Sequence, residues 1–238
     1  STAMRQRLES YGVKSPMHVL PTGIPMAQFA GGSGMRFRQK FGIAESRPMA
    51  LFVGRVAHEK NIGFLLEALV QARQIRPDVL LVIAGEGPAM ADLKAQTNAL
   101  GLQDAVLFIG YLDRKQALPD CYAAANVFVF ASLTETQGLV LLEAMAAGVP
   151  VIALSEMGTI DILAPARGAF SPPNDPRAFG EVLGQFLKHP ESWRHLNDEA
   201  PIYAQEWTDV AMAERLARLY SELSHCEIGQ KFRLTVAI

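Results

Sequence analysis

Two glutamates, Glu135 and Glu143, frame the stretch Glu135-Thr-Gln-Gly-Leu-Val-Leu-Leu-Glu143-Ala-Met-Ala-Ala-Gly-Val-Pro-Val-Ile-Ala. Residues 139–147 are apolar nearly all round, with Glu143 as their only charge. A helix apolar on every side is a buried helix. A carboxylate on it is costly unless a polar group meets it. Gly138 precedes the helix, and the first amides of a helix have no partner within it. Those amides would point back toward Glu135. The arrangement suits an anion at the helix N-terminus with a carboxylate on either side. A structural alternative has Glu143 pair with a buried Arg or with backbone amides and only hold the fold. It explains Glu143 alone better than it explains the Glu, the Gly and the apolar helix together.

A second chemistry-bearing segment is Val53-Gly54-Arg55-Val56-Ala57-His58-Glu59-Lys60-Asn61, where a strand gives way to a helix. A nucleoside diphosphate leaving group gains charge as its bond breaks, and cations stabilise that charge. Arg55 could grip a phosphate through two donors and Lys60 could act as a point charge. Taken alone, such cations are as readily solvated loop residues. His58 reads as a surface residue, and Glu59 as solvated or paired with Lys60. Gly85-Glu86-Gly87-Pro88 also follows a strand, but it lacks the third glycine of a dinucleotide fingerprint. A nicotinamide-dependent oxidoreductase is therefore disfavoured, and the turn reads as structural first and ligand-contacting second.

The Glu135-x7-Glu143 pattern, continued by Ala144-Met145-Ala146-Ala147-Gly148-Val149-Pro150-Val151, resembles the signature of the nucleotide-sugar-binding half of GT-B glycosyltransferases. The likeness is closest to glycosyltransferase family 4, a group of retaining enzymes. Gly54-Arg55 with Lys60-Asn61 matches that family's G-R-x3-4-K-[GN] pattern. Pro21-Thr22-Gly23-Ile24-Pro25 looks like its P-N-G-V-D loop. The resemblance implies that Glu135 contacts hydroxyls of the donor sugar and Glu143 those of the ribose. Arg55 and Lys60 would meet the diphosphate, so Glu135, Arg55 and Lys60 form the expected catalytic set. Gly138, Leu139 and Gln137 would add contacts at the helix start. Leu112, after Gly110-Tyr111, would lie against the nucleobase, and Gly23 would face the cleft between domains. The Thr136-Gln137-Gly138 spelling departs from the commoner Gly-Phe-Gly and is similar to that of glycolipid-forming members, which leaves the hexose open.

The resemblance spans about residues 1–224, expected to form one donor-binding domain, with 225–238 a tail of unassigned role. It covers only the C-terminal half of a GT-B enzyme, so an N-terminal acceptor-binding domain is the missing partner. The expected activity is retaining transfer of a hexose from a UDP- or GDP-linked donor to a lipid or saccharide acceptor. The chain alone would be inactive. A non-catalytic nucleotide-sugar-binding module is the alternative. The donor is a substrate, and no cofactor is expected. No protein-held metal is expected either, since no His/Cys/Asp cluster has metal spacing.

These residues need strands and helices to position them, and the sequence supplies an alternation. Uninterrupted apolar runs at 48–54, 79–85, 105–110, 127–131 and 149–153 read as buried strands. Helical spacing covers 61–75, 89–100, 115–124 and 139–147, then 175–188 and 209–223. Buried strands separated by helices predict a Rossmann-like doubly wound parallel sheet, which binds ligands beyond the carboxyl ends of its strands. At 35–41, cations alternate with Phe37 and Phe41, which reads as a solvated helix with both rings turned inward. A β-like run at 232–238 has no evident role. The net charge of −2 gives no electrostatic case for nucleic acid. Cys121 and Cys226 make no disulfide framework, and Cys121 reads as core. No signal-peptide core and no bilayer-length apolar run is present, so the expected location is the cytoplasm, with a peripheral membrane contact of the full protein.

Overall fold

In the computed structural model the described residues are 1–225. The predicted run at 232–238, Cys226 and the tail beyond residue 225 lie outside them. Among the described residues six parallel strands form one sheet: β1 (Met49–Val53), β2 (Leu80–Ala84), β3 (Val106–Gly110), β4 (Val127–Phe130), β5 (Val151–Ala153) and β6 (Ala169–Phe170). Eleven helices accompany them: α1 (Thr2–Ser10), α2 (Met26–Ala30), α3 (Gly34–Phe41), α4 (Ile62–Ile75), α5 (Met90–Ala99), α6 (Ala117–Ala124), α7 (Leu139–Ala146), α8 (Ile160–Leu163), α9 (Pro176–Lys188), α10 (Arg194–Gln205) and α11 (Asp209–His225).

The strand order is β3-β2-β1-β4-β5-β6, the doubly wound order of a Rossmann-like domain. Each of the five buried strands expected between residues 48 and 153 is present. Strands β1, β2, β4 and β5 are buried along their whole length. That follows from their uninterrupted Met-Ala-Leu-Phe-Val, Leu-Leu-Val-Ile-Ala and Val-Phe-Val-Phe runs, which would be wasted on a half-solvated sheet. Burying each large side chain of this core contributes about 1.5–3 kcal/mol.

The helix at 34–41 departs from its solvated reading. Phe37 is buried, with its ring centroid 4.6 Å from that of Phe41, as expected. The cations are not free, however. Arg38 is buried and donates to the carbonyls of Ala44, Arg47 and Ala124 at 2.7–3.1 Å. Arg36 forms a two-bond pair with Asp120 at 2.5 and 2.7 Å. Both arginines bind α3 to the two ends of α6. The arrangement uses the planar donor fork that Lys lacks.

One backbone contact brings the carboxyl ends of β1 and β2 together. Gly85 has φ +142, and a Cβ there would lie 1.9 Å from the Gly54 carbonyl oxygen. The Val56 amide donates to the Glu86 carbonyl at 2.9 Å, and the Ala89 amide to the Val56 carbonyl at 3.0 Å. The Gly85-Glu86-Gly87 turn is thus demanded by backbone packing, in line with its structural reading. Gly85→Ala is expected to lower stability by about 2–4 kcal/mol through strain and overpacking. Urea unfolding checks this, and an unchanged midpoint would refute the close-approach argument.

Candidate functional site

In a doubly wound sheet the crevice opens where strand order reverses, here between β1 and β4. One cleft lies at that place, and a second adjoins it over the ends of β1, β2 and β3; they share Val53, Gly54 and Arg55. One, of ≈ 510 Å³, runs from Arg55 and Lys60 to Glu135, Gly138 and Leu139. The other, of ≈ 290 Å³, is lined by Glu86, Tyr111, Leu112 and Arg114. The sequence-predicted Arg55, Lys60, Glu135, Gln137, Gly138 and Leu139 therefore come together in the first, and Leu112 lies in the second.

The turn after β1 is braced against the end of β4. Asn61 adopts left-handed φ +53 and donates from its side chain to the Ala131 carbonyl at 3.2 Å. Ser132 donates to the Glu59 carbonyl at 3.1 Å. This brace aims Lys60 at Glu135, and the two form an ion pair. Glu59 pairs with Arg55, not with Lys60. The Arg55 hydrogen bond holds the Glu59 carboxyl below its usual range. His58 is exposed, 3.4 Å from Asp92.

Gly138, at φ +85, starts α7, and its left-handed backbone turns the chain so that the helix opens onto the cleft. Behind this turn the Gly158 amide donates to the Glu135 carbonyl at 2.8 Å. The Gln137 side chain faces the loop at 21–25 instead of open space. It accepts from the Thr22 amide at 2.9 Å and donates to the Thr22 carbonyl at 2.7 Å. Gly23, in the same loop, is closely packed: a Cβ on it would lie 2.5 Å from the Thr208 carbonyl and the Asp209 Cα. That packing is itself a reason for glycine there.

Glu143 sits one turn beyond Leu139 on α7, only 3% exposed. Its Oε1 accepts from Arg114 Nη2 at 2.6 Å, and its Oε2 from the Tyr122 hydroxyl at 2.8 Å. These are the partners that the structural alternative requires. Arg114 is half-exposed, however, and lines the second cleft, so the pair also reaches the groove. Burial, then the Glu143 charge, pushes the Tyr122 hydroxyl well above its ordinary range. Bonding to Glu143 raises Arg114. Sequence reasoning missed Arg114 and Tyr122. One signal was available: Tyr122 is a polar group in an apolar helical run, and a buried hydroxyl and a buried carboxylate each need a partner. Among the described residues no group of three or more His, Cys, Asp or Glu is placed to hold a metal, and no helix is long and apolar enough to cross a membrane.

The family model for "Glycosyl transferases group 1" matches residues 35–202. Alpha-monoglucosyldiacylglycerol synthase of Streptococcus pneumoniae is 39% identical over 158 residues, covering 64% of this chain and 36% of its own length. Mannosylfructose-phosphate synthase of Agrobacterium fabrum is 30% identical over 220 residues, covering 86% and 48%. The Anabaena HepE structure in complex with UDP and glucose matches with TM-score 0.83 and 21% identity, over 93% of this chain and 62% of that one. Sucrose-phosphate synthase from Thermosynechococcus elongatus matches with TM-score 0.81 and 27% identity, over 94% and 57%. These structural likenesses place the fold among the Rossmann-like halves of GT-B enzymes. The chain spans about half or less of the length of these two curated relatives.

Tyr122→Phe is expected to cost about 1.5–3 kcal/mol, because it removes a donor from a buried carboxylate. Thermal or urea unfolding measures it. Wild-type stability in that variant would mean that the Glu143 oxygen finds another donor.

Proposed function

The chain belongs to the glycosyl transferases group 1 family, and from that premise we propose that residues 1–224 are the donor-binding half of a retaining hexosyltransferase. The observation that carries this reading is the groove at the β1/β4 reversal. It gathers Arg55, Lys60, Glu135 and the start of α7, with Glu143 one turn further along. A UDP- or GDP-linked hexose is the proposed donor and a lipid or saccharide hydroxyl the acceptor. The bond between the anomeric carbon and the diphosphate breaks, and the electron pair leaves on the diphosphate oxygen. Arg55, Lys60 and the first amides of α7 stabilise that charge. The acceptor oxygen bonds to the same carbon from the face that the diphosphate leaves, and its proton passes to the departing diphosphate oxygen.

Of the two cations, Arg55 pairs with Glu59 and Lys60 with Glu135. A bound diphosphate, with more than one negative charge, draws them from Glu59 and Glu135. Glu135 is thereby released toward the hexose hydroxyls, and Glu143 reads the ribose diol. The Leu112 backbone lies by the nucleobase. Gln137 acts through its backbone, since its amide side chain holds Thr22. The donor is the only small molecule in this scheme, and no protein-held metal or cofactor takes part. A second, N-terminal domain supplies the acceptor and excludes water. The full protein works in the cytoplasm, with a peripheral contact to the membrane.

Calorimetry with UDP, GDP and their sugar conjugates tests the site. Arg55→Ala should weaken diphosphate binding by about 1.5–3 kcal/mol, and unchanged affinity would count against the groove. Glu143→Gln should weaken the bare nucleotide, whereas Glu135→Gln should spare it and weaken only the sugar conjugate. Equal loss of the bare nucleotide in both variants would reject this division of roles. Residues 1–238 alone should not transfer sugar from a labelled donor. Turnover matching that of the full-length protein would overturn the two-domain scheme.

A further inference from the structure

We propose that Arg114 is a positioning residue for the nucleoside end of the groove, holding the Glu143 carboxylate at a fixed tilt to accept from a vicinal diol. The inference rests on the donor-site reading above and deepens it. Arg114 sits in a built turn. The Asp113 carboxylate accepts from the amides of Lys115 and Gln116 at 3.1 and 3.0 Å, and the Asp113 carbonyl from Leu118 at 2.9 Å. The Arg114 carbonyl accepts from the Gln28 side chain. Its guanidinium lies 5.7 Å from the centre of the Phe29 ring. The backbone at Arg114 is therefore fixed and its guanidinium held at Phe29 and Glu143, although half of the side chain faces the cleft.

The surroundings of Glu143 make this cation decisive. Helix α7 packs against α2 and α10 and against strands β4 and β5. Helix α2 and the two strands carry no charged residue. The buried face of α10 is Leu196, Ala200, Tyr203 and Ala204. Tyr122 donates but is neutral, and the neighbouring Cys121 thiol is also pushed up by burial. Among the described residues Arg114 is the cation bonded to Glu143. An ionised carboxylate has about four acceptor positions. Arg114 and Tyr122 take one on each oxygen, which leaves one on each for the two hydroxyls of a diol. Charge-assisted bonds to those hydroxyls are strong only while the carboxylate stays ionised.

The test compares Arg114→Met, Arg114→Lys and wild type by calorimetry, with UDP, or GDP if it binds more tightly, and with inorganic pyrophosphate. Arg114→Met should bind the nucleotide about ten-fold more weakly. Arg114→Lys should recover part of that loss, because it restores a donor to Glu143. Pyrophosphate, which reaches only the Arg55 and Lys60 end, should bind all three alike. Wild-type or tighter nucleotide binding by Arg114→Met, or a matching loss of pyrophosphate binding, would overturn the inference. If the Met variant does not fold, the Lys variant decides: weaker nucleotide binding supports the proposal and wild-type affinity overturns it. Should wild type bind neither ligand, or Glu143→Gln bind the nucleotide like wild type, the donor-site reading itself has failed. Weakening by Glu143→Gln together with an unaffected Arg114→Met removes only the role of Arg114.

Discussion

The side-by-side pairing of β1 with β4 is the constraint from which the site follows. Ala50 pairs with Val127 and Leu51 with Phe128, yet the chain leaves β1 toward β2 and leaves β4 toward β5. The two outgoing connections diverge, so neither can cover the gap between the strand ends. What each connection places at that gap is chemistry-bearing: Arg55 and Lys60 after β1, and Glu135 with the start of α7 after β4. The bonds from Asn61 and Ser132 tie the two sides together. They hold the opening at a defined width while leaving it open.

The groove is nearly neutral as it stands. Arg55 is matched by Glu59, Lys60 by Glu135 and Arg114 by Glu143. The three pairs do not weigh equally. Arg55 and Glu59 are exposed, and such pairs contribute about 0–1 kcal/mol. Exchanging them for another anion is therefore cheap. Glu143 is buried, and a buried charge deprived of its partner is strongly destabilising. The easily exchanged pair, Arg55 with Glu59, thus lines the first cleft, and the costly one lies beside the second, where Arg114 opens onto it.

Much of this was legible in the residues. The five longer strands declare themselves as uninterrupted apolar runs, and the lone carboxylate within a Gly-opened apolar helix already signalled a buried group in need of a polar partner. The sixth strand has only two residues, Ala169 and Phe170, too short to show a period. Helix α10 carries Pro201 in its interior, where Pro usually argues against a helix, and tertiary packing of Leu196, Ala200 and Tyr203 overrides that penalty. Arg36 and Arg38 looked solvated because a sequence does not show which carbonyls will lie within reach of a guanidinium. The packing of Gly23 against Thr208–Asp209 was hidden because those neighbours are far away in the chain. Partners distant in sequence also account for the missed Arg114 and Tyr122.

The pair of hydrogen bonds between the Gln137 side chain and the Thr22 backbone is more than a local contact. The Thr2 amide donates to Asp161 at 2.7 Å, and α1 leans on the turn at 157–159. That turn in turn carries the Glu135 carbonyl through Gly158. The first twenty-odd residues, the turn at 157–159 and the Glu135–Gly138 turn therefore form a closed loop of mutual support. Such a loop opens as one unit, because releasing any one link exposes the backbone groups of the others. Amide exchange across these three stretches would share a common opening free energy, below that of the β1–β2–β4 core. Anything that ordered one of them would slow exchange in all three.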